Sequence, residues 1–161
     1  VAPPGTVEVV RLLLVRHADA LPESAILPDE HRPLSPAGRD QVRELAALLA
    51  EAGLELGAVV TSPLVRAVQT AELLVRWLDW PGPVDVTHHL APAAVAPSAA
   101  ADWLTRTAGS LGGPLLAAVG HEPSIGHLAR ILSGDARAPS FDKAEACLIE
   151  DGAIRWRLQP D

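Results

Sequence analysis

Three short, almost unbroken apolar runs constrain this chain more than any other feature. Val9 to Val15 (VVRLLLV) contains a single arginine, and Ala58 to Thr61 and Leu115 to Val119 repeat the pattern in shorter form. A strand with one wet face alternates polar and apolar residues. A continuous apolar run fits a strand covered on both faces, as in a parallel sheet layered by helices.

The segments between these runs read as helices. Ser35-Pro36 supplies an N-cap followed by proline at the first helical position. From Ala37 to Ala52, apolar residues at 42, 45, 46, 48, 49 and 52 keep helical spacing, and Gly53 is placed to end the helix. Ser62-Pro63 looks like the same cap-plus-proline device, launching a helix through about Leu78. Val84 to Val86 reads as a brief strand, and Ser98 to Ala108 and Ser124 to Leu132 as further helices. Ala146 to Ile149 and Ile154 to Leu158 flank Asp151-Gly152, a strong hairpin turn. The alternation predicts an α/β fold, a three-layer α/β/α sandwich. Its central sheet is mostly parallel and closes with a C-terminal antiparallel hairpin. With 161 residues, no repeat and no linker, one domain over 1–161 is expected.

Composition narrows the function classes. The formal net charge of −7 repels nucleic-acid phosphates, and no basic run offsets it. No apolar run reaches the ~18 residues of a membrane span. The N-terminus lacks the basic-then-apolar form of a signal peptide, so a cytoplasmic protein is the expectation. The lone Cys147, in an apolar run, excludes an internal disulfide and a multi-cysteine zinc site, and reads as a buried small side chain. The four tryptophans are expected in the core, and no feature of the sequence sets an oligomeric state.

Three polar clusters each follow the end of a strand: Arg16-His17, Ser62 to Arg66, and Gly120-His121-Glu122. In open α/β sheets, ligands bind in the crevice outside the carboxyl ends of the strands, so all three can face one crevice. Two arginines and two histidines there would make a strong anion site, because a guanidinium fork matches phosphate oxygens bidentately. Arg66 would also sit near the positive end of its helix dipole.

Leu14-Val15-Arg16-His17-Ala18, Ser62-Pro63-Leu64-Val65-Arg66-Ala67-Val68-Gln69-Thr70 and Val119-Gly120-His121 together resemble the histidine phosphatase superfamily, the phosphoglycerate mutase-like group. Arg32 to Gly38 is similar to the family's stretch before its first helix. The resemblance runs from about Leu12 to Leu132, and Ala18 stands where the family's triplet has glycine. It implies that His17 is a nucleophile forming a phosphohistidine intermediate that water then hydrolyses. It implies that Arg16, Arg66 and His121 hold the phosphoryl oxygens. The second nitrogen of His17 should donate to a backbone carbonyl and fix the tautomer. No metal and no cofactor are implied, since the arginines and histidine supply the positive charge.

Many members of the superfamily place a glutamate general acid after the third strand. Here that stretch reads Val86-Thr87-His88-His89-Leu90-Ala91-Pro92, without a carboxylate. The short chain, the Arg-His-x-Asp-Ala opening and the Leu-x-Pro after the third strand look like the SixA-type phosphohistidine phosphatases. Protein phosphohistidine is therefore the leading substrate class. A small phosphomonoester is the alternative, and a non-catalytic phosphate-binding module or a mutase are the competing readings. Candidate substitute acids are Asp19, equally suited to a surface or capping role, His89, and Glu122, better suited to stabilise a helix N-terminus. His88-His89, if extended, would point to opposite faces and oppose shared metal ligation.

Overall fold

The computed structural model describes residues 9–161. The N-terminal stretch read for a signal peptide lies almost entirely outside them. The elements are β1 (Arg11–Arg16), α1 (Pro36–Ala52), β2 (Leu56–Thr61), α2 (Val65–Trp77), β3 (Val84–Val86), α3 (Pro97–Gly109), β4 (Leu115–Gly120), α4 (Ser124–Ser133), β5 (Ala146–Glu150) and β6 (Ala153–Leu158). Short 3-10 turns occupy Asp29–His31 and His88–Leu90.

The strands form one sheet in the order β3-β2-β4-β1-β5-β6. β3, β2, β4 and β1 are mutually parallel; β5 runs antiparallel to β1 and pairs with β6. The continuous apolar runs are the central strands, and both their faces are covered. Leu13 and Val15 of β1 pack with Val42, Leu45 and Leu49 of α1 and Ala67, Ala71 and Leu74 of α2. Leu12 and Leu14 point the other way, onto Leu104 of α3 and Ile125 and Leu128 of α4. Burying a leucine or valine fully contributes about 1.5–3 kcal/mol, and all four of these β1 side chains are fully buried.

Local chemistry sets the helix ends. Ser35 Oγ accepts a hydrogen bond from Gly38 N (3.0 Å), with Pro36 at the start of the helix, and Gly53 closes α1 in the left-handed conformation (φ 68°). Gly38 is required for a second reason: any Cβ there would collide with the Asp19 carbonyl, so α1 packs directly against the segment after β1. Asp151 and Gly152 both adopt positive φ (48° and 78°), as the tight hairpin between β5 and β6 demands.

Two expectations need correction. Ser62-Pro63 does not begin α2. The cap position is Leu64, which makes no side-chain cap bond, and the helix starts at Val65. Ser62 Oγ accepts from Leu64 N (3.2 Å) while bonding across the crevice to His121. The tryptophans are not core residues. Trp77 is exposed, while Trp80, Trp103 and Trp156 lie half-buried at the margins of the two apolar layers.

Candidate active site

Strand register places the polar clusters side by side. Arg16 pairs with Gly120, and Thr61 with Val119, so the residues that follow each strand emerge at one level. Backbone bonds continue the ladder by one step: His17 N donates to Gly120 O and Ser62 N to Val119 O, both at 3.0 Å. His17, Ser62 and His121 therefore meet at the carboxyl ends of β1, β2 and β4. Each is nine-tenths or more buried.

His17 is held in one orientation and one tautomer. Its Nδ1 lies 2.7 Å from the Ala18 carbonyl, which can only accept, so Nδ1 carries the proton and Nε2 keeps its lone pair. Arg66 Nε donates toward that Nε2 at 3.4 Å. The backbone after His17 is fixed from several sides. Ala18 N donates to Thr70 Oγ1 of α2, Asp19 N to Gln41 Oε1 of α1, and Ala144 N to the His17 carbonyl. Burial lowers the His17 pKa to about 4; the Ala18 bond opposes this and the charges of Arg66, Arg16 and Arg32 reinforce it. His121 falls to about 3, through burial first and then the nearby His17 and Arg66. Both rings are neutral near pH 7, with centroids 5.0 Å apart.

The two arginines are engaged to different extents. Arg16 Nη1 donates to Phe141 O (2.9 Å), while its Nε is buried without a protein partner. His121 Nδ1 is in the same condition, its Nε2 being 2.7 Å from Ser62 Oγ. Arg66 Nη1 donates to the carbonyl of Asp29 (2.8 Å) and Nη2 to its carboxylate (3.3 Å).

The three candidate acids fall at different places. Asp19 accepts from Ser35 Oγ (2.5 Å) and pairs with Lys143 Nζ (2.7 Å); these bonds hold its carboxyl below the usual range. Glu122 Oε1 accepts from Gly126 N (2.6 Å), in the first turn of α4, the helix-terminal role foreseen for it. His89 stacks on Trp103 (centroids 4.5 Å, 11° between planes), with Nδ1 2.9 Å from Thr87 Oγ1. Burial, His88 and Arg106 lower its pKa. His88 and His89 do not point to opposite faces. The 3-10 turn brings their rings to 4.2 Å. Among the described residues, no group of three or more His, Cys, Asp or Glu side chains could hold a metal ion, and no helix is long and apolar enough to cross a membrane.

Sequence reasoning missed Asp29 and Lys143, and it placed Ser62 in a crevice-facing cluster but gave its side chain no role beyond a helix cap. Ser62 carried a signal: it occupies the position after β2 that His17 and His121 occupy after β1 and β4.

This crevice, fed by three parallel strands and built around two neutral buried histidines and two arginines, belongs to a known class. The chain is a member of the histidine phosphatase superfamily (branch 1), whose family model matches residues 12–91, and it is accordingly a phosphatase, a hydrolase. Among curated proteins it is 33% identical over 154 residues to an uncharacterized protein of Picosynechococcus sp., covering 94% of this chain and 92% of the relative. It is 26% identical over 156 residues to the phosphohistidine phosphatase SixA of Escherichia coli (strain K12), covering 94% of each. Among solved structures, the protein histidine phosphatase SixA complexed with tungstate superposes with a TM-score of 0.83 at 26% identity, over 93% of this chain and 97% of that one. A phosphoglycerate mutase from Bacillus anthracis shares the fold (TM-score 0.72, 15% identity, 91% of both chains).

Proposed function

We propose that the protein hydrolyses phosphohistidine on a protein substrate through a covalent intermediate on His17. In the first step His17 Nε2 attacks phosphorus in line, and the bond from phosphorus to the substrate imidazole breaks. In the second, water attacks the phosphorylated His17, the new P–N bond breaks, and inorganic phosphate leaves. Arg16, Arg66 and His121 bind the phosphoryl oxygens as charge redistributes. With Ser62 Oγ donating to Nε2, His121 offers Nδ1–H as a donor, and Arg16 offers its unpaired Nε.

One observation carries the choice of substrate: the nearby carboxylates are already committed to partners within the protein. Asp19 is tied to Lys143 and Ser35, Glu122 to Gly126 N, and Asp29 to Arg66 and Arg32. For Asp29, burial would raise the pKa, but the two arginines outweigh it and hold the carboxyl low. Asp19 and Asp29 are therefore ions near pH 7, and Glu122 is tied to the first turn of α4. An alkoxide leaving group needs a protonated acid; the imidazole of phosphohistidine, carrying a proton on its other ring nitrogen, leaves as a neutral base without one. His89 is a poor substitute, since its pKa lies below the ordinary histidine value. The similarity to SixA, named for protein histidine phosphatase activity, supports the same reading.

A paired assay tests it. Specificity constants for a phosphohistidine-bearing protein and for a panel of small phosphomonoesters should differ by at least a hundredfold in favour of the protein. Equal or reversed constants would assign the site to small phosphomonoesters. Failure to hydrolyse either would reduce it to a phosphate-binding module.

A further inference from the structure

Arg66 is one of the two arginines assigned to the phosphoryl group, yet its whole fork is occupied. Nε faces the lone pair of His17, and both Nη groups are held by Asp29. Asp29 belongs to the 3-10 turn of the loop between β1 and α1, not to the sheet or helices that build the site. Arg66 is buried, whereas the Asp29 side chain is 44% exposed. Asp29 also pairs with Arg32 at 3.0 Å, so one carboxylate bridges two guanidinium groups, much as a phosphoryl group would. Geometry this close to a bound oxyanion, made by a residue from a surface turn, is that of an internal ligand.

We propose that Asp29 is a built-in competitor for the phosphoryl site: it occupies Arg66 in the free enzyme, and a substrate phosphoryl group binds by displacing it. The inference rests on the reading of the crevice as a phosphoryl site. It has two consequences. Asp29 sets the affinity of the site, because every anion must first replace a carboxylate on the two arginines. A dianionic phosphoryl group recovers more Coulomb energy from them than a singly charged group does, so the exchange filters against carboxylate-bearing metabolites. Binding is also coupled to the loop. When Arg66 Nη1 leaves the Asp29 carbonyl, the turn at 28–32 loses its anchor to α2. That turn is otherwise held within its own loop, by His31 N to Pro28 O, Arg32 N to Asp29 O and Arg32 Nη1 to Leu21 O.

The test is calorimetric titration of inorganic phosphate into the wild type, Asp29→Asn and Glu30→Gln, with hydrogen exchange of residues 28–32 followed in the wild type. Glu30 is exposed and lies in the same turn, so its variant removes the same charge without touching Arg66. The expected result is at least tenfold tighter phosphate binding by Asp29→Asn, at most a twofold change in Glu30→Gln, and faster exchange at 28–32 on saturation. Equal gains in the two variants would mean simple charge removal, and would overturn the proposal. Weaker binding by Asp29→Asn would make Asp29 a positioning residue for Arg66, and unchanged exchange would remove the coupling; either also overturns it. If phosphate binds none of the three proteins, the phosphoryl-site reading itself fails. If it binds the wild type without these differences, only the competitor fails.

Discussion

Arg66 and Arg157 are both arginines paired with a carboxylate under the protein surface, and they could hardly be used more differently. Arg157 donates Nε to Glu145 (2.6 Å), Nη1 to Pro139 O (2.8 Å) and Nη2 to Ser140 O (3.2 Å), and lies 4.4 Å over the Phe141 ring. Its partner is just as fixed: Glu145 is buried and its other oxygen accepts from Asp142 N. Every group is satisfied and none is replaceable. Arg66 instead holds an acid on a solvent-facing turn, through contacts of 2.8 Å to its carbonyl and 3.3 Å to its carboxylate. The structural Arg157 and the proposed receptor Arg66 thus differ less in burial than in how easily the partner can be exchanged.

The Arg157 cluster still serves the site from behind. It shapes the loop from which Ala144 N meets the His17 carbonyl and Phe141 O receives Arg16. The comparison can be broken with two substitutions. Arg66→Ala should lower kcat/KM by about 10³, with the melting temperature nearly unchanged, because its acid partner can turn to water. Arg157→Ala should do the reverse. Leaving Glu145 buried and unpaired costs about 3 kcal/mol, read as a shifted urea midpoint, while kcat/KM falls less than tenfold. A large stability loss in the first variant, or a large activity loss in a fully folded second, would erase the distinction.

An effect of similar size on stability comes from acid. An unfolded histidine titrates near 6.5, and the folded His17 near 4. Between these values the unfolded chain binds more protons, so the stability is fully present above pH 6.5 and lost as the pH falls toward 4. For His17 the loss amounts to about 3 kcal/mol. His17→Asn should flatten that part of the stability curve, measured by denaturant titration at successive pH values. An unchanged slope would show that His17 is not the group responsible.

Much of this was legible in the sequence. Continuous apolar runs marked strands covered on both faces, and the position after each run marked the crevice. Helix α1 was legible because Ser35, Pro36 and Gly53 act through their own backbone neighbours. The start of α2 was not, because Ser62 is recruited by His121, 59 residues away, which no local rule contains. Asp29 and Lys143 escaped notice for the same reason. Each reaches the site from a loop whose path depends on tertiary packing, and an isolated surface acid or lysine carries no periodic signal. His88 and His89 were misjudged because a 3-10 turn replaces the extended geometry that separates neighbouring side chains.

The central claim is that His17 becomes covalently phosphorylated during turnover. Its most direct test is rapid quenching of the wild type with a ³²P-labelled phosphohistidine protein, followed by mapping of the label. Acid-labile, alkali-stable label is expected on His17, chasing into inorganic phosphate, and none in His17→Ala, which should hydrolyse nothing measurable. Turnover with label on another residue, or a His17→Ala enzyme that keeps its activity, would contradict it.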